Sequence, residues 1–154
     1  MASEQQFCTF FVYGLFFGVE VMKVQEVIRY QQMTRVPLAP AVVSGLINLR
    51  GHIVTAVDLR HRLGLTPRPA ERLPMNVVVR SDDGEVSLLV DEIGDVIEVD
   101  PGSFETPPET LHGPARDLVR GVYKLNDRLL LALDTEKTVD LASAGGRAAA
   151  DRLE

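Results

Sequence analysis

Tryptophan is absent, aromatic residues make up 6% of the chain, and a single cysteine, Cys8, stands among 154 residues. One thiol cannot close an internal disulfide or build a thiolate metal cluster, so a cystine-stapled secreted scaffold is excluded. Basic residues are the minority charge: 16 Lys and Arg against 22 Asp and Glu leave a formal charge of −6. Binders of nucleic acid or of anionic membranes are more often basic, so neither partner is expected. A long hydrophobic run is also missing. The apolar stretch at 7–19 (FCTFFVYGLFFGV) falls short of the about 20 residues that a spanning helix needs. The one charged side chain before it is Glu4, where a signal peptide would carry basic residues. Clustered Phe and Val around Tyr13-Gly14 predict a β-hairpin instead, in a cytoplasmic protein without membrane insertion.

Catalytic and cofactor signatures are lacking as well. There is no G-x-x-x-x-G-K-[ST] or G-x-G-x-x-G phosphate loop, no G-x-S-x-G elbow and no H-E-x-x-H pair. His52, His61 and His112 are scattered and read as surface or turn residues. Cys8 reads as a small buried hydrophobe in the first strand. The acidic pairs Asp82-Asp83 and Asp91-Glu92 read as solvated turn residues. No metal and no cofactor is expected.

What the chain does have is many short β-rich runs. They lie at 7–13, 15–21, 27–31, 46–49, 53–59, 76–80, 86–90, 96–99, 121–125 and 128–133, with turn formers between several of them. No long stretch carries a helical period. Proline-rich stretches at 66–74 and 100–114 read as loops, and the small, polar stretch at 142–154 as a loose tail. The fold class is therefore all-β.

The two halves resemble each other. GLINLRGHIVTAVD (45–58) lies over GVYKLNDRLLLALD (121–134) without a gap, so that Gly45 falls on Gly121, Leu49 on Leu125, Ala56 on Ala132 and Asp58 on Asp134. VQEVI (24–28) lies over IGDVI (93–97), and the hairpin at 11–21 over 80–90. Such a repeat implies one supersecondary plan used twice. Five short strands per copy can curl to remove their edges, giving two small five-stranded barrels packed on a shared hydrophobic seam, with short helical turns. The expected division runs at about 14–70 for the first barrel and 75–139 for the second, within one domain at 6–141. The strand at 7–13 is free to pair with either.

The most structured text is GLINLRGHIVTAVDLRHRLGL (45–65). Its Arg50-Gly51 turn between two core strands places a guanidinium at a barrel rim, with Gly51 free to adopt a positive φ. Arginine presents a rigid donor fork suited to a partner's carboxylates and carbonyls. The alternative is a solvated arginine pairing locally with Asp58 or Glu26.

At this point the chain resembles the CheW-type coupling proteins of bacterial chemosensory arrays. The resemblance is carried by VxEVIR and TRVPLAPAVVSGLINLRGHIVTAVDLRHRLGL between Val24 and Leu65, and by VDEIGDVIEV at 90–99. It runs from about Gln6 to Val139. It implies two Src-homology-3-like barrels and no catalytic activity. It also implies an adaptor that bridges chemoreceptor cytoplasmic hairpin tips to the regulatory domain of a CheA-type histidine kinase, with receptor contact in a groove between the barrels. Val24, Glu26, Gly45 and Arg50 match family positions tied to coupling, with Leu46 and Asn48 beside them. Pro107, Pro108 and Glu109 match a region that contacts the kinase, and the double proline departs from many members. Two other readings stay open: the same role in twitching motility or biofilm control, and a small β-barrel enzyme or ligand carrier with a site between the lobes.

Overall fold

A computed structural model describes residues 5–82 and 84–140. Asp83 and the expected tail at 142–154 lie outside the described residues. Among the described residues, eleven strands, three α-helices of four or five residues and two three-residue 3-10 turns follow one another. The strands are β1 (Gln5–Val12), β2 (Leu15–Glu20), β3 (Val24–Ile28), β4 (Val43–Leu49) and β5 (His52–Asp58), then β6 (Met75–Ser81), β7 (Gly84–Val90), β8 (Glu92–Val99), β9 (Phe104–Glu105), β10 (Val119–Lys124) and β11 (Leu129–Leu133). The helices are α1 (Leu59–Arg62), α2 (Pro114–Leu118) and α3 (Thr135–Val139).

The strands form a five-stranded sheet, β3-β6-β7-β5-β4, and a six-stranded sheet, β8-β1-β2-β11-β10-β9. The division expected near residue 70 is not where the chain divides. The first sheet is one continuous stretch, β3 to β7, whereas the second combines the opening hairpin β1–β2 with β8 to β11. The strand at 7–13 therefore belongs to the second sheet, where it pairs with β2 and β8.

The repeat holds at the level of hydrogen-bond register. Leu46 faces Thr55 in the first copy and Val122 faces Leu131 in the second. Both hairpins carry a bulge at the same place, between Val43 and Gly45 and between Val119 and Gly121. The parallel contacts match too, Thr55 with Val86 and Leu131 with Phe17. In each copy an aspartate ends the second strand and caps the next helix. Asp58 accepts from Arg60 N at 3.1 Å and Asp134 from Lys137 N at 3.0 Å. That cap is why Leu59, expected at a strand end, starts α1 instead.

Each sheet is drawn toward a barrel by the chain that leaves its edge strand. After β3 the chain crosses over and Thr34 exchanges two hydrogen bonds of 2.8 Å with Leu46 on β4. After β8 it crosses in the same way, and β9, inside the expected loop 100–114, pairs with β10. Gly45 and Gly121 lie beneath these crossings. A Cβ on Gly45 would sit 2.7 Å from the Thr34 carbonyl oxygen, and one on Gly121 would sit 2.8 Å from that of Glu105. Both positions need glycine for close backbone approach.

Alternation along the strands sends one set of side chains into each barrel and another into the seam. Ile47, Val54, Ala56 and Leu89 fill the first barrel. Phe7, Val99, Tyr123, Leu130 and Ala132 fill the second, with the Phe7 and Tyr123 rings 5.4 Å apart. Between the barrels runs the largest cluster, in which Phe10, Phe17, Val57, Leu59, Val77, Leu88, Leu118 and Leu133 take part.

Candidate functional site

The positions singled out on the first barrel lie on its two edge strands and the turn that joins β4 to β5. Val24 and Glu26 are on β3, while Gly45, Leu46 and Asn48 are on β4. In the sheet order these strands stand at opposite edges. Arg50 spans the gap. Its Nη1 donates to Glu26 Oε2 at 2.7 Å and its Nη2 to Glu26 Oε1 at 2.9 Å, a two-pronged charge-assisted pair. The Arg50 side chain is 75% exposed and that of Glu26 17%, so the pair sits at the surface with the guanidinium outward. The hydrogen bonds from Arg50 hold the Glu26 carboxyl below its ordinary range, and Glu26 in turn raises the guanidinium.

The turn that aims Arg50 is tight. Arg50 at φ 53° and Gly51 at φ 91° both take the left-handed conformation of a two-residue hairpin turn. The expectation assigned that conformation to Gly51 alone. A non-glycine residue there carries strain, and the Asn48 side chain helps to fix the turn by accepting from Gly51 N at 2.9 Å. The local pairing weighed for Arg50 is thus made with Glu26. Asp58 instead caps α1 and meets Arg68 at 3.4 Å.

The structure brings together Glu26, Asn48 and Arg50. Leu46 is half-buried beside Thr34, and Val24 packs against the central seam. Gly45 is buried beneath the Thr34 crossing. The repeat highlights this site. The counterparts of Glu26 and Arg50 in the second barrel are Asp95 and Asn126, which cannot form such a pair.

Pro107, Pro108 and Glu109 lie on the second barrel between β9 and α2. Arg116 Nη1 donates to the Pro108 carbonyl at 2.8 Å and tethers the loop. Pro107 faces a crevice beside His61, Arg62 and Lys137. Pro108 lines an open apolar cleft with Phe11, Leu15, Phe16, Leu111 and Leu129. The Arg128 guanidinium stands 4.8 Å from the Phe16 ring and 5.7 Å from that of Phe11.

A buried charge cluster lies outside the expected site. Asp91, expected as a solvated turn residue, has a side chain only 3% exposed, paired with Arg60 and Arg68. Burial alone would raise its carboxyl. The hydrogen bonds from Arg60, Tyr13 N and Arg68 outweigh burial and hold it below the ordinary value. Arg62, also on α1, donates to the carbonyls of Thr138 at 2.9 Å and Lys137 at 2.6 Å. The available signal was Arg60 and Arg62 alternating with Leu59, His61 and Leu63 after the capping Asp58. His52, His61 and His112 are exposed as expected, and Cys8 is half-buried, its thiol pushed up by burial. Among the described residues no group of three or more His, Cys, Asp or Glu could hold a metal ion, and no helix is long and apolar enough to cross a membrane.

Comparisons with known proteins agree with this architecture. The profile of the CheW-like domain matches residues 6–143. The chain is 30% identical to the chemotaxis protein CheW of Bacillus subtilis over 142 residues, covering 92% of this chain and 91% of that one. It is 29% identical to that of Treponema pallidum over 139 residues, covering 88% and 82%. The crystal structure of the scaffolding protein TtCheW from Thermoanaerobacter tengcongensis superposes with a TM-score of 0.80 at 26% identity, over 90% of this chain and 94% of that one. Two Src-homology-3-like barrels, with a family profile and relatives that match nearly the whole described chain, make the chain a member of the CheW-like domain family, whose proteins act as scaffolds in chemotaxis signalling.

Proposed function

We propose that this chain is a non-catalytic cytoplasmic adaptor that couples the cytoplasmic hairpin tips of chemoreceptors to the regulatory domain of a CheA-type histidine kinase. The observation that carries the reading is the Glu26–Arg50 pair. It lies across the closing edges of the first barrel, at positions that the family resemblance ties to coupling. A receptor tip is a helical bundle. Leu46 and Val24 offer it apolar contact, Arg50 and Glu26 set register by charge, and Asn48 and Gly45 hold the rim in shape. On the second barrel, the loop of Pro107, Pro108 and Glu109 faces the kinase, and the neighbouring apolar cleft adds Phe11 and Leu129 to that surface. The receptor contact that the resemblance puts in the groove between the barrels thus centres on this edge of the first barrel, the kinase contact lies on the second, and signal passes as a change in how the partners pack.

The test is titration of the purified protein with a receptor tip fragment and with a kinase regulatory domain. Both are expected to bind. Arg50→Ala is expected to fold and to weaken receptor binding by on the order of tenfold or more, with kinase binding less affected. Arg50→Lys restores part of the loss, because it keeps the charge without the planar fork. Normal receptor binding by a folded Arg50→Ala protein would remove Arg50 from the site, and a parent protein that binds neither partner would remove the adaptor reading.

A further inference from the structure

Asp91 is the single residue between β7 of the first barrel and β8 of the second. Three separately routed pieces of chain converge on its carboxylate. From the second barrel, Tyr13 N in the β1–β2 turn donates to Oδ2 at 2.8 Å, and Asp91 N returns a bond of 2.9 Å to the Phe11 carbonyl. From α1, at the end of the first barrel, Arg60 donates Nη2 to Oδ2 at 2.6 Å and Nε to both oxygens at 3.1 Å. From the proline-rich connection, Arg68 donates Nε to Oδ1 at 2.9 Å, and its Nη2 lies 3.4 Å from Asp58 Oδ1. Arg60 also donates to the carbonyls of Thr66 and Pro67 at 3.1 and 3.2 Å, and its guanidinium lies 5.4 Å from the Tyr13 ring.

Two carboxylates thus meet two guanidinium groups, and the cluster is electrically balanced. The apolar seam beside it attracts without direction, because burial of apolar surface depends on area and little on angle. Charge-assisted hydrogen bonds do depend on angle, and in a site this dry they are strong. We propose that Asp91 is a positioning residue that fixes the angle between the two barrels. Resting on the adaptor reading, it thereby fixes the relative placement of the receptor-side edge at Arg50 and the kinase-side loop at Pro108.

The experiment places one spin label on each barrel in the full chain, at the exposed positions Arg29 and Glu98, after Cys8→Ser removes the native thiol. Pulsed electron resonance then reads the distance distribution between the labels. One narrow distribution is expected with Asp91 present, and a broader or displaced one in Asp91→Asn, while amide-exchange protection within each barrel's own strands persists. A distribution in Asp91→Asn that superposes on the parent's overturns the proposal. Should Asp91→Asn fail to fold, Arg68→Gln leaves Arg60 on the carboxylate and is read in the same way, with an unchanged distribution again overturning it.

The functional half is tested by receptor-controlled kinase activity. The variant is expected to bind each partner with parental affinity yet to pass on less of the receptor's control. Full control passed by a variant whose distance has changed overturns that half. If the parent itself binds neither partner, the adaptor reading falls, and the distance measurement still decides the role of Asp91.

Discussion

Replacing Gly45 with alanine tests whether the closing of the first barrel depends on a missing side chain. The new Cβ would meet the Thr34 carbonyl oxygen at 2.7 Å, Met33 Cβ at 3.0 Å and the Thr34 carbonyl carbon at 3.2 Å. The nearest of these is backbone and cannot swing aside as a flexible side chain would. The carbonyl that has to retreat is the acceptor of the 2.8 Å bond from Leu46 N, and Thr34 N donates the return bond of 2.8 Å. At about 0.5–1.5 kcal/mol for each bond, losing the pair costs roughly 1–3 kcal/mol. Alanine also restricts the unfolded chain, which offsets about 0.4–1 kcal/mol. Gly102→Ala is the control. Gly102 has no positive φ, and its new Cβ would meet only the Asp100 carboxylate, at 3.3 Å. Both variants share the unfolded-state gain, so the difference between them isolates the clash. For a domain of this size, about 2–4 °C per kcal/mol puts Gly45→Ala roughly 2–12 °C below Gly102→Ala. Scanning calorimetry reads the gap, and amide exchange at Thr34 and Leu46 reads its location. If the two variants melt together with unchanged protection at those amides, the close approach is not what Gly45 provides.

Asp91→Asn leaves two guanidinium groups facing a neutral amide and is expected to lose about 3 kcal/mol near neutral pH, measured by denaturant unfolding. Because the folded carboxyl titrates below its ordinary value of 3.8, the stability it contributes is present above that value and drains away as pH falls through the lower folded value. The parent and Asp91→Asn should therefore converge in acid, and a gap independent of pH would contradict the assignment. Arg50→Asn puts a residue tolerant of positive φ into the turn while deleting the fork. It should melt no lower than the parent, and Glu26 should titrate at a higher pH when followed by carboxyl-carbon NMR. Dialysis against a chelator should leave the melting temperature unchanged, and a fall restored by one metal would reveal a site that the sequence does not signal.

The duplication was legible because strand register is written in side-chain alternation and in two glycines that recur at matching places, Gly45 and Gly121. The exchange of hairpins was not. Sequence similarity between β1–β2 and β6–β7 says that they occupy equivalent places, and is silent on which barrel each joins. The pairings of β1 with β8 and β2 with β11, and of β6 with β3 and β7 with β5, decide that. Short β9 went unread because two residues carry no period. Arg50 was legible from its turn and from the resemblance, and its partner was one of two acids within reach. Asp91 was misread because an aspartate followed by a glutamate has the composition of a solvated turn. Its burial follows from Arg60, Arg68 and the Tyr13 amide converging from positions that are remote in sequence.

The interleaved strand order bears on how the chain folds as it is made. The first barrel, β3 to β7, is continuous and can close as soon as its last strand is synthesised. The opening hairpin β1–β2 is made before it, yet its sheet partners β8 and β11 both come after it, β11 as the last strand of its sheet. Phe7 and its neighbours therefore wait for Tyr123 and Leu130 until more than a hundred further residues have been made. Pairings of such long sequence separation form slowly, and an apolar hairpin without its sheet is prone to stick to other chains in the interval. Joining the ends and opening the chain between β2 and β3 would make both barrels continuous in sequence. The same contacts would then form in an order that never leaves the hairpin unpartnered.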